Sequence, residues 1–182
     1  HLAAGVNIAL GDGVDALTLG AVSYTGALNG GNGVDALTLV TGSNIAGATV
    51  TGFETLTAVG ANTMTGDQYN AFTTVNFNNG ASTDVLTLTT AGSFTIAGSA
   101  AANAAGFESI VLANGTNNLT LTGATAAAIA TSTVAGGTGT DTLTIGADLG
   151  AGGATAMTNK TGFENLVFTV AQTTNAVTTF NQ

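Results

Sequence analysis

Apolar residues alternate with threonine, serine or asparagine in many short runs along the chain. Clear examples are "DALTLV", "DVLTLTT", "NLTLTG", "DTLTIG" and "ENLVFTV". A period of two is typical of a β-strand with one buried face, and β-branched threonine suits the exposed face. Glycine, asparagine and aspartate lie between the runs and indicate turns. The pattern therefore predicts many short strands and an all-β fold.

Two segments interrupt this alternation and are candidates for single helical turns. They are "GDQYNAF" (66–72) and "GATAAAIA" (123–130), of which the alanine-rich one has the stronger intrinsic helix preference.

Two sequence modules recur and alternate along the chain. The first appears as "LGDGVDALTL" (10–19), "GGNGVDALTL" (30–39), "GGTGTDTLTI" (136–145) and, in degenerate form, "NGASTDVLTL" (79–88). The second appears as "TGFETLTA" (51–58), "AGFESIVL" (105–112) and "TGFENLVF" (161–168). Together they define a repeat of about 54 residues, roughly 1–34, 35–83, 84–140 and 141–182.

Short strands, frequent turns and a long repeat predict a right-handed parallel β-helix or β-roll-like solenoid. An antiparallel β-sandwich is the alternative, because it also uses short strands and glycine turns. The repeat favours the solenoid, with residues 1–182 as a single repetitive β domain. Since the pattern begins and ends within a unit, we expect the domain to be part of a longer chain.

The charge balance is strongly acidic, with ten Asp and Glu against one Lys or Arg and a net charge of −9. Nucleic-acid binding and attraction to anionic membranes both depend on Lys and Arg, so neither is expected. No apolar run approaches the ~18 residues that suggest a membrane span. Cysteine is absent, which excludes disulfides and thiolate metal sites.

The glycine-aspartate module has the composition of a calcium loop. Glycines allow the backbone to curl and direct its carbonyl groups inwards, and the aspartate adds a carboxylate. Such an oxygen-only cage suits Ca²⁺ better than Zn²⁺, although one turn supplies only about half of its six to eight ligands. A second, stacked turn must complete the site. The candidate ligands are Asp12, Asp15, Asp35, Gly31, Gly33, Asp141, Gly137, Gly139 and Asp84.

Each of these aspartates also has a purely structural interpretation, as a turn residue whose carboxylate accepts a backbone N–H. The glutamates of the second module, Glu54, Glu108 and Glu164, are open to the same two interpretations. For them we favour the structural one, in which the preceding phenylalanine anchors the core and the glutamate accepts turn amides. The reason is that each glutamate follows an aromatic residue at a strand start and not a glycine loop. Lys160 is expected at the surface.

The segments "GGNGVDALT" and "GGTGTDTLT" resemble the G-G-x-G-x-D-x-U-x repeat of RTX calcium-binding β-rolls. The threonine-, alanine- and glycine-rich composition resembles RTX-like S-layer proteins and large secreted adhesins of Gram-negative bacteria. This resemblance implies secretion to the bacterial cell surface, calcium-dependent folding and assembly with further copies of the chain. Cell-surface polysaccharide is a second candidate partner. The chain departs from the family pattern because its copies are isolated, and Leu10, Asn79 and Ser82 replace glycines.

Catalysis usually employs histidine, lysine or cysteine, and sugar-cleaving clefts are usually lined with aromatic residues. This chain has one Lys, one His, no Cys, no Trp and two Tyr, so enzyme activity is not expected. The sequence predicts an extracellular self-assembling structural protein, forming an S-layer lattice or a surface filament. The alternative is the stalk or passenger region of a secreted adhesin.

Overall fold

Residues 5–77, 84–96, 109–122, 132–150 and 157–172 are described by a computed structural model. Within them, sixteen strands and one helix follow one another along the chain. They are β1 (Ile8–Gly13), β2 (Ala16–Leu19), β3 (Ala27–Gly33), β4 (Ala36–Leu39), β5 (Thr49–Thr51), β6 (Thr55–Ala58), β7 (Ala61–Met64), α1 (Gly66–Ala71), β8 (Thr74–Phe77), β9 (Val85–Leu88), β10 (Ser93–Ile96), β11 (Ser109–Val111), β12 (Asn118–Thr122), β13 (Thr133–Ala135), β14 (Thr142–Gly146), β15 (Lys160–Thr161) and β16 (Asn165–Phe168).

The strands build a parallel β-solenoid of about six turns, which confirms the predicted fold class. The chain divides into two compact units, His1–Thr89 and Thr90–Gln182. In the first unit the parallel sheets are β1–β3–β5, β2–β4–β6–β8 and β7–β9. In the second they are β10–β12–β14–β16 and β11–β13–β15. Parallel pairing excludes the alternative of an antiparallel sandwich.

One coil of the solenoid is much shorter than the 54-residue sequence repeat. Ala36 pairs with Thr55, 19 residues later, whereas Val134 pairs with Lys160, 26 residues later. The sequence repeat therefore spans more than two coils. The spacing of 19 residues between Asp35 and Glu54 is the length of one coil, as is the spacing of 23 between Asp141 and Glu164.

The core consists of columns of inward-facing side chains that stack from coil to coil. Leu19, Leu39, Ala58 and Phe77 form one such column in register, and all four are buried. Leu37 and Leu39 point inwards as predicted from the alternation. Each coil therefore buries its apolar face on its neighbours and not on a single central core.

Helix α1 confirms the first predicted helical turn. Thr65 caps it, because its hydroxyl accepts the N–H of Gln68 while the Gln68 side chain accepts the N–H of Thr65. This reciprocal pair is a capping box. The Gln68 amide also donates to the carbonyls of Ile45 and Ala48 at 2.7 Å, which holds the helix against the neighbouring coil. The second predicted helical turn, at 123–130, lies outside the described residues.

The glycine stretch "GGNG" was predicted to be a turn, and this is wrong in the first unit. Gly30, Gly31 and Gly33 belong to β3, in which Gly31 and Gly33 pair with Gly11 and Gly13 of β1, and the strand ends only at Gly33. Strands β1, β7 and β8 were also not predicted. The sequences of β1 and β7 lack a clear alternation of apolar and polar residues, whereas β8, "TVNF", does alternate, but over only four residues.

Candidate functional site

The acidic residues of both sequence modules occupy the same place in a coil, directly before a strand. Asp35 precedes β4 by one residue, and its Oδ1 accepts the backbone N–H of Asp15 at 2.8 Å. Glu54 lies one coil further on, and its Oε2 accepts the N–H of Asp35 at 2.8 Å. Each carboxylate thus caps the backbone of the preceding coil. We call this column, Asp15–Asp35–Glu54, the first carboxylate ladder.

A second ladder in the other compact unit has the same construction. Asp141 Oδ1 accepts the backbone N–H of Asn117 at 2.8 Å, and Glu164 Oε2 accepts the N–H of Asp141 at 2.6 Å. Asn117 continues the column with an amide in place of a carboxylate, because its Oδ1 accepts the N–H of Gly92 at 3.2 Å. We call Gly92–Asn117–Asp141–Glu164 the second ladder.

The degenerate copy of the motif follows the same rule. Asp84 is buried before β9, and its Oδ1 accepts the N–H of Gly60 on the preceding coil. The predicted structural role of the glutamates as acceptors of backbone amides is confirmed for Glu54 and Glu164. Phe53 and Phe163, which precede them, are buried in the core. Glu108 lies outside the described residues.

The glycines of the motif are required by the close approach of successive coils. Gly31 has a φ of 109°, and a Cβ placed on it would lie 1.7 Å from the carbonyl oxygen of Gly11. Gly33 has a φ of 144°, and its Cβ would lie 1.5 Å from the carbonyl oxygen of Gly13. Gly137 and Gly139 meet the coil below in the same way, at 2.9 and 2.1 Å. No side chain fits between these backbones.

One oxygen of several ladder aspartates is buried without a hydrogen-bond partner. Asp35 and Asp141 are fully buried, and in each the Oδ1 caps a backbone amide while the Oδ2 has no partner. The Oδ2 of Asp15 is in the same position. Burying a carboxylate oxygen without a hydrogen-bond partner costs free energy. A cation bound to these oxygens would offset that cost.

The structure does not gather the candidate ligands into one cluster. Within the described ranges, no group of three or more His, Cys, Asp or Glu side chains is placed to hold a metal ion. Asp12 is exposed and its Oδ1 accepts a hydrogen bond from the Asn32 amide at 2.8 Å. It lines a shallow groove of about 390 Å³ together with Asn29, Asn32 and neighbouring glycines. Any cation at the ladders must take most of its ligands from backbone carbonyls.

Lys160 is not at the surface, and that prediction is wrong. Its side chain is fully buried, because Lys160 stands in register with Val134 and Ile110 on the inward face of their sheet. Its ammonium group donates to the carbonyl oxygen of Ser132. Burial lowers the pKa of Lys160 from 10.5 to about 8.

Asn117 is a site residue that the sequence analysis missed. It is fully buried, and its side-chain amide donates to the carbonyls of Ala113 and Gly136 and to Asp141 Oδ1. The signal in the sequence was its position directly before the alternating run "NLTLT", where Asp35, Glu54, Asp141 and Glu164 stand before their own strands.

The fold and the ladders define the chain as a parallel β-solenoid braced by side chains that cap backbone amides. Comparison with protein-family models, with curated proteins and with solved structures found no match. In the described part of the chain, no helix has the length and apolar character needed to cross a membrane.

Proposed function

We propose that this protein is a non-enzymatic structural scaffold that self-assembles at the bacterial cell surface. The observation that carries the proposal is the use made of the acidic residues. Of the nine Asp and Glu in the described ranges, five accept a backbone amide from the preceding coil, namely Asp35, Glu54, Asp84, Asp141 and Glu164. These acidic side chains would otherwise be candidates for catalysis, but here they form hydrogen bonds between successive coils.

The distribution of these acids supports a scaffold over an enzyme. A general acid–base pair works when two titratable groups converge on one substrate position. Here the capping acids are spread along columns, one per coil, and each faces the backbone of its neighbour. Such repetition strengthens a long assembly.

Electron microscopy of the purified protein tests the proposal. A regular lattice or a filament of uniform width is the expected result. Dispersed particles at all concentrations would contradict self-assembly and would favour a stalk that carries a separate binding domain.

We further propose that Ca²⁺ stabilises the ladders, with the Oδ2 atoms of Asp35 and Asp141 as carboxylate ligands. Support comes from the burial of these oxygens without hydrogen-bond partners. An ion there would neutralise buried negative charge, and main-chain carbonyl oxygens would complete its shell.

Thermal unfolding with added calcium and with EGTA tests this part separately, together with elemental analysis. We expect calcium to raise the Tm of the wild-type protein. In Asp35→Asn the amide oxygen can still cap Asp15, as the Asn117 amide caps Gly92, but the negative charge is lost. The variant should therefore respond less to calcium. A wild-type Tm that is unaffected by either reagent, with no bound metal, would overturn the calcium proposal and leave the scaffold proposal standing.

A further inference from the structure

Lys160 is the single buried residue of a short segment whose other members reach solvent. The residues next to it are exposed or half-buried, namely Thr158, Asn159, Thr161 and Gly162. Lys160 itself is fully buried, and the segment is bounded at its two ends by the buried side chains of Met157 and Phe163. We call residues 158–162 the Lys160 strap. Because Lys160 is its only buried member, the strap can leave the core without exposing an apolar side chain.

The strap is joined to the neighbouring coil by a strand of minimal length. Strand β15 has two residues, whereas β14 pairs with β16 at four positions. The N–H of Val134 donates to Asn159 O, and the N–H of Gly136 donates to Thr161 O, both at 2.9 Å. Segments with short pairing and little apolar burial open at free energies far below that of global unfolding. The strap has both properties.

Closing the strap buries an amine in apolar surroundings. Lys160 stands in register with Val134 and Ile110, and its ammonium group donates to the carbonyl oxygen of Ser132. Burial disfavours the charged form, so the pKa of Lys160 falls from 10.5 in water to about 8 in the closed strap. When the strap opens, the long side chain places its amine in water and regains its ordinary pKa. Charge on Lys160 therefore favours the open strap.

The strands around Lys160 add no competing titration. The described strands of this compact unit, β10 to β16, contain no titratable side chain besides Lys160. The acidic residues of the unit within the described ranges are Asp141, Asp148 and Glu164. The first and last of these accept backbone N–H groups in the second ladder, and Asp148 is exposed and accepts the N–H of Gly150. Lys160 is the one Lys or Arg of the chain, so alkaline titration acts on the strap.

We propose that the strap is a pH-sensitive latch. With Lys160 charged, the strap opens locally and carries the ammonium group into water, and with Lys160 neutral it closes on the core. Opening also releases the N–H groups of Val134 and Gly136 from their acceptors, so the exposure of this part of the solenoid depends on pH. The latch does not depend on the proposed self-assembly or on calcium.

Hydrogen exchange measured by residue-resolved mass spectrometry at pH 7 and pH 9, corrected for intrinsic exchange rates, tests the latch. The N–H groups of Val134 and Gly136 report on opening because their acceptors lie in the strap. At pH 7 they should exchange clearly faster than the slowest amides of β14, which report on global unfolding. Their protection should rise about tenfold by pH 9, because the pKa of Lys160 is about 8 in the closed strap and 10.5 in the open one.

Two variants separate Lys160 from other groups. Lys160→Met keeps a long side chain but cannot titrate, so the protection of Val134 and Gly136 should not change with pH. Thr161→Ala, at an exposed position of the strap, is the matched control and should keep the tenfold change. Protection that stays constant in the wild type, or that changes as much in Lys160→Met, would overturn the latch. Exchange of these amides at the rate of the slowest β14 amides would show that Lys160 responds only through global unfolding, which would also overturn it.

Discussion

The carboxylate of Glu54 accepts the backbone N–H of Asp35 at 2.8 Å, one coil away. The two residues come from different sequence motifs, yet they occupy equivalent positions on successive coils. Asp35 in turn caps Asp15 at 2.8 Å. A side chain that caps the backbone above it couples each coil to the next, in addition to the hydrogen bonds of the sheets. This coupling leads to several measurable consequences.

Replacing Glu54 by alanine should destabilise the protein by about 1–3 kcal/mol, because the N–H of Asp35 loses its acceptor. Glu54→Gln should cost less, since the amide oxygen still accepts the hydrogen bond. Urea unfolding at neutral pH provides the free energies. Asp67→Ala is the control, because Asp67 is exposed in the first turn of α1 and its removal should cost only about 0.3–1 kcal/mol. Equal losses for Glu54→Ala and Asp67→Ala would contradict the capping role.

Two glycines with nearly the same φ make it possible to measure backbone strain and steric crowding separately. Gly11 and Gly31 have φ values of 108° and 109°, but only at Gly31 would an added Cβ meet neighbouring atoms. Gly11→Ala should therefore cost about 1–3 kcal/mol from the backbone conformation alone. Gly31→Ala should cost clearly more or prevent folding, because the Gly11 carbonyl must move. Thermal unfolding of the pair measures the difference, and similar Tm values would show that the coils tolerate a side chain there.

The buried Lys160 predicts a stability that rises with pH. Its pKa is about 8 in the folded protein and 10.5 in the unfolded chain, so between these values the unfolded state binds more protons. From pH 7.5 to 9.5 the free energy of unfolding should increase by about 2 kcal/mol. Burial raises the pKa of Tyr69, whose contribution to stability is lost above about pH 10, so the measurement stays below that pH.

Lys160→Met is the matched variant for this pH dependence. It keeps a long side chain in the column with Val134 but has no group that titrates. Urea unfolding of both proteins across the same pH range should show the rise only in the wild type. The same slope in both would mean that another group is responsible.

Replacement by alanine should destabilise the protein to very different extents at two adjacent asparagines. Asn117 is buried and links two carbonyl groups, Asp141 and the N–H of Gly92, so Asn117→Ala should cost about 2–4 kcal/mol. Asn118 is exposed, with one long contact of 3.4 Å to the Ser93 hydroxyl, and its replacement should cost under about 0.5 kcal/mol. Chemical unfolding distinguishes them. A small loss for Asn117→Ala would mean that the second ladder contributes little to stability.

Much of the fold was predictable because it depends on local patterns. The alternation in "DALTLV" and "DTLTIG" identified strands β4 and β14 and the inward direction of Leu37 and Leu39. The segment 66–72 was correctly predicted as a helical turn. Strands β1 and β7 were not predicted because their own sequences lack a clear alternation, and only pairing with strands of neighbouring coils identifies them.

The candidate site was only partly predictable, since its partners are distant in sequence. The aspartates and glutamates were predictable from the motifs, with backbone amides as one possible set of partners. The identity of those amides was not predictable, because the length of a coil varies between 19 and 26 residues and the register is set by stacking. The burial of Lys160 was not predictable for the same reason. It depends on the pairing of Lys160 with Val134 on a neighbouring coil and not on the residues next to Lys160 in the sequence.

The amino-acid sequence by itself determined the strands with a clear alternation, the all-β class, the acidic charge and the acidic residues of the two repeated motifs. These follow from side-chain alternation, turn chemistry and composition, which act over a few residues. Only the tertiary structure decided that Asp35 and Glu54 are successive rungs of one ladder. Stacking brings an amide and a carboxylate from positions 19 residues apart within 2.8 Å, and no local preference specifies that distance.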